Sequence, residues 1–114
     1  MPDCLFCKIV SGDIPATIVH QDEHLIAFKD INPQAPMHVL IIPRRHIATL
    51  SDLAETDDQL VGEMVRRAAA IARQEGHADR GYRTVINCNA DAGQTVFHIH
   101  LHVLGGRTLA WPPG

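Results

Sequence analysis

No part of this 114-residue sequence is apolar for long enough to cross a bilayer as a helix. Its longest apolar runs, such as Val39-Leu40-Ile41-Ile42, stop far short of the ~18–20 residues that needs. The opening Met1-Pro2-Asp3-Cys4 is acidic and lacks the basic and apolar regions of a secretory signal, so a cytoplasmic protein is expected. Cysteine is scarce and odd in number: three residues make no disulfide framework. In a reducing compartment such thiols serve as metal ligands, redox groups or core filler. There is no low-complexity tract and so no whole-chain disorder. Basic excess is absent too. Ten Lys and Arg against thirteen Asp and Glu give a net charge of −3 with histidine neutral. That balance argues against duplex binding through counterion release, but leaves room for a small nucleotide, which needs only a local site. Hydrophobic residues at 46% and charged residues at 20% are ordinary for a globular chain, and the length suits one domain spanning 1–114.

What the sequence has in excess is histidine. Eight in this length is roughly three times average usage, so their placement must be explained.

Residues 4–10 read as a turn or short helix, followed by the turn cluster Ser11-Gly12-Asp13-Ile14-Pro15. Ile18–Gln21 and Leu25–Lys29 read as the two arms of a hairpin. Asn32-Pro33-Gln34-Ala35-Pro36 is a loop, and the β-branched run His38–Ile42 is a strand closed by Pro43. Around Asp52-Leu53-Ala54 a short helical piece is expected. Thr56-Asp57-Asp58-Gln59 fits a capping box opening a long helix. Along it Leu60, Val61, Met64, Val65, Ala68, Ile71 and Ala72 recur every three or four residues, and Gly76 suits the stop. Two further strands are expected at 83–87 and 96–104, with a loop at 89–93 between them. Strands joined mostly by short connections, with one long helix, predict an α+β domain: an antiparallel sheet packed on that helix.

Phe97-His98-Ile99-His100-Leu101-His102-Val103-Leu104 alternates strictly. In a strand that puts His98, His100 and His102 on one face and Ile99, Leu101 and Val103 on the other. The apolar set has a core to face. A buried face would use Val or Ile, and a wet one Thr, Lys or Glu, so the histidine set points to chemistry. Two chemistries want imidazoles in a row. One is a metal site of neutral imidazoles. The other is nucleophilic attack on phosphorus, with one imidazole attacking and its neighbours holding charge and protons. Only Asp91 lies close enough in sequence to supply a carboxylate to a hydrolytic metal pair, which favours the second. Gly93-Gln94-Thr95 leads into the row, where a glycine lets amides approach an anion and Thr95 adds a hydroxyl. Asn87 offers a neutral donor.

The run His98–Leu104 resembles the signature of the histidine triad (HIT) family, His-φ-His-φ-His-φ-φ with φ apolar. The likeness extends through Gly93–Phe97, Gly105-Gly106-Arg107, Phe6–Ile9, Ile14–Ala16, Ala27–Pro36 and His38–Pro43, nearly the whole chain. The tail Trp111-Pro112-Pro113-Gly114 resembles the Hint branch. The resemblance implies a homodimer of HIT-like α+β subunits, each with a five-stranded antiparallel sheet, one long helix and a short one. It also implies hydrolysis of P–N or acyl-phosphate adducts of AMP or GMP through a nucleotidyl-histidine. By position His100 would be the nucleophile and His102 would contact the phosphate, with His98 and His38 completing the catalytic set. Asn87, Gly93 and Thr95 would hold the phosphate and Asp30 the ribose hydroxyls. Phe6, Ile9, Ile14, Ile31 and Leu40 would form the purine slot. The tail 108–114, with Trp111, would reach the rim of the partner's site on the leaving-group side. Other members cleave dinucleoside polyphosphates or transfer nucleotides, and a non-enzymatic nucleotide-binding subunit is a third possibility. Thr95 departs from the usual serine, and Cys88-Asn89-Ala90 and Ala110 also differ from common members. These bear on rate and leaving group.

Cys4 and Cys7 form a CxxC pair. Structural zinc needs four ligands, and His46 and His98 are candidates for the other two. The set Cys4, Cys7, His46 and His98 resembles the structural zinc site of bacterial relatives with the same N-terminal pair. Redox chemistry and inert thiols are the other readings of the pair. Cys88 has no partner by spacing and reads as core filler.

Overall fold

A computed structural model describes residues 3–114. Its order is α1 (Leu5–Val10), β1 (Ile18–Gln21), β2 (Leu25–Lys29), β3 (Met37–Pro43), α2 (Asp58–Gln74), β4 (Tyr82–Val85) and β5 (Leu101–Gly105), with short 3-10 turns between β3 and α2 and at Ala90–Ala92. The strands make one antiparallel sheet in the order β1-β2-β3-β5-β4. The expected α+β architecture, with one long helix and a short one, is what forms.

Alternation along the strands sorts side chains to two layers. Met37, Val39 and Ile41 of β3, with Leu101 and Val103 of β5, face α2 and pack on Met64, Ala68, Ile71 and Ala72. His38, Leu40 and Ile42 point the other way. There Ile26, Phe28, Leu40 and Ile42 enclose Phe6 of α1. Every residue of β3 is buried, as a central strand covered on both faces requires. Burying a side chain such as Met64 or Ile71 contributes about 1.5–3 kcal/mol, so α2 is held by its stripe more than by its intrinsic propensity. Val65, on the rim of the expected stripe, stays half exposed.

The C-terminus of α2 closes as expected. Gly76 adopts φ +83°, its N–H reaches the Arg73 carbonyl, and the His77 N–H reaches that of Ala72. This is a Schellman motif. The start differs from expectation. Thr56 lies inside a 3-10 turn, Glu55–Asp57, so it cannot cap. Asp57 instead accepts the Ala54 N–H at 2.9 Å and pairs with Arg45. That amide and the guanidinium hold its carboxyl below the usual range. The short helix expected around residues 52–54 is replaced by 3-10 turns on either side, Leu50–Asp52 and Glu55–Asp57.

Both late strands are shorter than expected. The ladder of β5 begins at Leu101, opposite Ile41, and not at Val96. Continuing the register would set Ile42 opposite His100 and then Pro43, which has no N–H to give, opposite Ile99. The Pro43 carbonyl is taken by the ring of His98, and Ile99 donates its N–H to Ile47 at 2.7 Å. The alternation still holds across this break: Ile99 packs in the α2 layer and His100 does not. With β5 starting at 101, β4 ends at Val85, opposite His102, and Asn87 falls beyond the strand.

Candidate functional site

The histidine row lies on the α1 side of the sheet. The His100 ring stands edge-on to Phe6 at 5.0 Å and to His102 at 5.0 Å, and Phe6 also meets His98 at 6.0 Å. His98 is fully buried, His100 nearly so and His102 partly. The row is therefore graded from interior to surface.

Hydrogen bonds assign each ring its tautomer. The His100 Nδ1 lies 2.8 Å from the His98 carbonyl, which can only accept, so in the neutral ring Nδ1 carries the proton and Nε2 keeps its lone pair. That Nε2 has no partner among the described residues. Among the described residues no buried side-chain nitrogen lacks one, so Nε2 opens to the surface. His38 is fixed from the loop behind it. Its Nδ1 accepts the Gln34 N–H at 3.0 Å, so its proton sits on Nε2. That proton is donated to His102 Nδ1 at 2.9 Å, with the Asp30 carboxylate 3.4 Å away. His102 is left with Nε2–H as its free donor. Burial, reinforced by the nearby His100 and His38, pushes the His102 pKa down to about 4. Burial also lowers His38, against the pull of Asp30. Near neutral pH His102 and His38 are therefore uncharged, beside an imidazole that can attack.

A second cluster adjoins the first. The ligand atoms of Cys4, Cys7, His46 and His98 lie within 4.8 Å of one another. His98 donates Nε2–H to the Pro43 carbonyl at 2.7 Å, which turns a bare Nδ1 inward. That Nδ1 is 3.4 Å from Cys4 Sγ, 3.6 Å from Cys7 Sγ and 3.3 Å from His46 Nδ1, and Cys7 Sγ is 3.4 Å from His46 Nδ1. Around a tetrahedral zinc, with bonds of ~2.0–2.3 Å, neighbouring ligand atoms sit about 3.3–3.8 Å apart. The donor set and its spacings fit that ion. Burial and the adjacent Cys4 push the Cys7 thiol up, so a cation is what would hold it as a thiolate. The Cys7 N–H, aimed at Cys4 Sγ at 3.3 Å, supports the same state at Cys4. Asp30, His38 and His102 form another close group, but the nitrogens that face each other there, His38 Nε2 and His102 Nδ1, are already bonded together.

The remaining expected residues divide. Phe6, Leu40 and Ile9 share one apolar cluster. Ile14 lines an adjoining cavity of about 270 Å³ with Ile9 and Ile26. Ile31 is fully exposed and is not part of that buried cluster. Asp30 uses Oδ1 to accept the Asn32 N–H in an Asx turn and Oδ2 to face His38. Continuing the β4–β5 register would set Asn87 opposite His100. Gly93 turns the loop at φ +83°, and Thr95 is exposed. Three groups that define the site were not foreseen: the Gln34 N–H, the Pro43 carbonyl and the buried side chain of Gln94. The first two are backbone atoms, which no residue type announces. Gln94 sat in the quoted motif, but nothing in its spacing marked it as buried.

Comparison with known proteins agrees with this geometry. Residues 3–109 match the family model described as scavenger mRNA decapping enzyme C-term binding. The chain is 50% identical over 107 residues to the purine nucleoside phosphoramidase of Escherichia coli K12, covering 94% of this chain and 90% of that one. It superposes on a HIT family hydrolase from Legionella pneumophila with a TM-score of 0.97 and 54% identity, over 98% of this chain and 100% of that one. A zinc-bound histidine triad family protein from Mycobacterium smegmatis gives 0.80 and 38%, over 93% and 76%. With the alternating imidazoles, their backbone-set tautomers and these likenesses together, the chain belongs to the histidine triad family.

Proposed function

We propose that this protein is a homodimeric purine nucleoside phosphoramidase that also cleaves acyl-phosphate adducts of AMP or GMP, acting in the cytoplasm on small nucleotides and not on nucleic acid or membranes. The observation that carries the reading is the His100 ring: its proton is held on Nδ1 by a carbonyl, and its Nε2 lone pair faces out beside neutral His102. The 50% identity to a phosphoramidase supports the substrate class.

In this reading His100 Nε2 attacks the α-phosphorus and forms a P–N bond. The bond to the leaving nitrogen, or to the acyl oxygen, breaks, and the departing atom takes the electron pair. A departing amine also takes a proton from solvent. Water then attacks the nucleotidyl-histidine, releases one proton and returns His100 with its lone pair. Imidazole suits both steps, because it is nucleophilic when neutral and its phosphoryl adduct is labile. His102 donates Nε2–H to a phosphate oxygen, held in that tautomer by His38, which Gln34 orients in turn. Asn87 and Thr95 add donors for the phosphate, and Gly93, whose own N–H goes to the Ala90 carbonyl, lets the loop approach it closely. Asp30 accepts from the ribose hydroxyls, and the slot of Phe6, Ile9, Ile14, Ile31 and Leu40 takes the purine.

Cys4, Cys7, His46 and His98 hold a structural zinc, which would supply folding energy and fix the N-terminus to the sheet. His98 then serves by placing its carbonyl, not by transferring protons. Residues 1–114 form one HIT domain whose tail, 108–114, completes the partner's site. The half-exposed Val65 and the 82% exposed Trp111 are the surfaces that support a twin subunit.

The deciding assay incubates pure protein with adenosine phosphoramidate and, separately, with a dinucleoside polyphosphate. The phosphoramidate should be cleaved faster. His100→Ala should abolish turnover while leaving AMP affinity within about tenfold, since the lost group acts in the transition state. Near-normal hydrolysis by that variant, or a trapped adduct on another residue, would refute the assignment.

A further inference from the structure

Gln94 is buried, 6% exposed, between two exposed neighbours, Gly93 and Thr95. Its Oε1 accepts the Asn89 N–H at 2.8 Å. Its Nε2 donates to the carbonyls of Ala48 at 2.8 Å and Val96 at 3.1 Å. Both amide hydrogens are spent, so the side chain has no donor left for a substrate. What it does is fasten the loop. The Gln94 N–H returns to the Asn89 carbonyl at 3.1 Å, making a two-way clasp on a residue held at φ +67°. A non-glycine residue keeps that backbone only where its surroundings enforce it. The far anchor is the segment after β3: His46 belongs to the Cys/His cluster, Ile47 receives the Ile99 N–H, and Ala48 receives Gln94.

We propose that Gln94 is a positioning residue. Its side-chain amide sets the shape of loop 89–96, which presents Gly93 and Thr95 to the substrate phosphate, and it does so from the segment that carries His46. It touches no substrate itself. The proposal rests on the nucleotide reading above.

Two variants test it. Gln94→Met keeps the bulk and loses all three hydrogen bonds. Gln94→Glu keeps an acceptor for Asn89 and loses both donors, and it serves where the first does not fold. Asp57→Asn is the control, a buried polar residue at the start of α2 whose change should lower only the melting temperature. The readouts are kcat and KM for adenosine phosphoramidate, AMP affinity by calorimetry, and hydrogen exchange at the Asn89 amide. Both Gln94 variants should raise KM and weaken AMP at least about tenfold while kcat stays within about threefold, because a misplaced phosphate loop costs binding and leaves His100 intact. Asn89 should exchange faster in Gln94→Met than in Gln94→Glu. Unchanged KM and AMP affinity, a fall in kcat alone, an equal KM rise in the control, or unaltered Asn89 exchange would each overturn the proposal. If wild type neither binds AMP nor cleaves the phosphoramidate, the nucleotide reading fails. Asn89 exchange in Gln94→Met would still decide whether Gln94 holds the loop.

Discussion

His102 resists protonation in the folded protein until about pH 4, against an ordinary value near 6.5. Between those values the unfolded chain binds the extra proton and the folded chain does not. Stability is therefore present in full above about pH 6.5 and falls as pH drops toward 4. His38, lowered by burial, acts in the same direction. Urea midpoints measured at pH 7.5 and pH 5 should differ accordingly, and His102→Gln should lose part of that slope. An unchanged midpoint in wild type would contradict the account. At this scale much was legible. Period-two alternation put three imidazoles on one face, and a CxxC pair called for two more ligands. Which nitrogen of each ring bears the proton was not legible, because carbonyls and amides of other residues decide it: His98 for His100, Gln34 for His38, Pro43 for His98. Sequence pattern records side chains, and these partners are backbone.

The six-residue α1 is too short to persist alone in water. Phe6, wedged among Phe28, Leu40 and the histidine rings, and the Cys/His cluster are what hold it. If that cluster binds zinc, metal analysis of fresh protein should give about one ion per chain, and strong chelation should lower the melting temperature. Cys7→Ser should mimic chelation. An apo-protein of equal stability would remove zinc from the reading, and loss of activity with an intact fold would instead point to a catalytic metal. Elements were read well where periodicity was long, as in α2, and badly at their ends. The capping box failed because a 3-10 turn had already placed Thr56 inside a helical turn. The expected strand 96–104 lost its first half because Pro43, on the neighbouring strand, cannot donate to it. Both are facts about a neighbour, which a linear pattern does not contain.

At the scale of the whole molecule the tail is an exposed surface. Arg83 holds its base through the carbonyls of Leu109 and Ala110, and Trp111 beyond them is largely bare. A large aromatic ring held in water is expected to dock on a second subunit. Light scattering should give about twice the chain mass, and removing residues 108–114 should keep the dimer while reordering substrates that differ only in leaving group. A monomer, or a truncation that slows every substrate equally, would dispose of that role for the tail. The sheet order has a consequence of its own. His38 and His102 touch across β3 and β5, neighbours in the sheet but 64 residues apart along the chain, with all of α2 between them. Closing so long a loop is an entropic cost that nothing local repays, so the contact forms only as the whole sheet does. The chemistry has no foothold in any partly folded species. Along one denaturant series, activity and far-UV circular dichroism should therefore fall on a single curve, and catalysis in this chain becomes a direct gauge of the fraction folded.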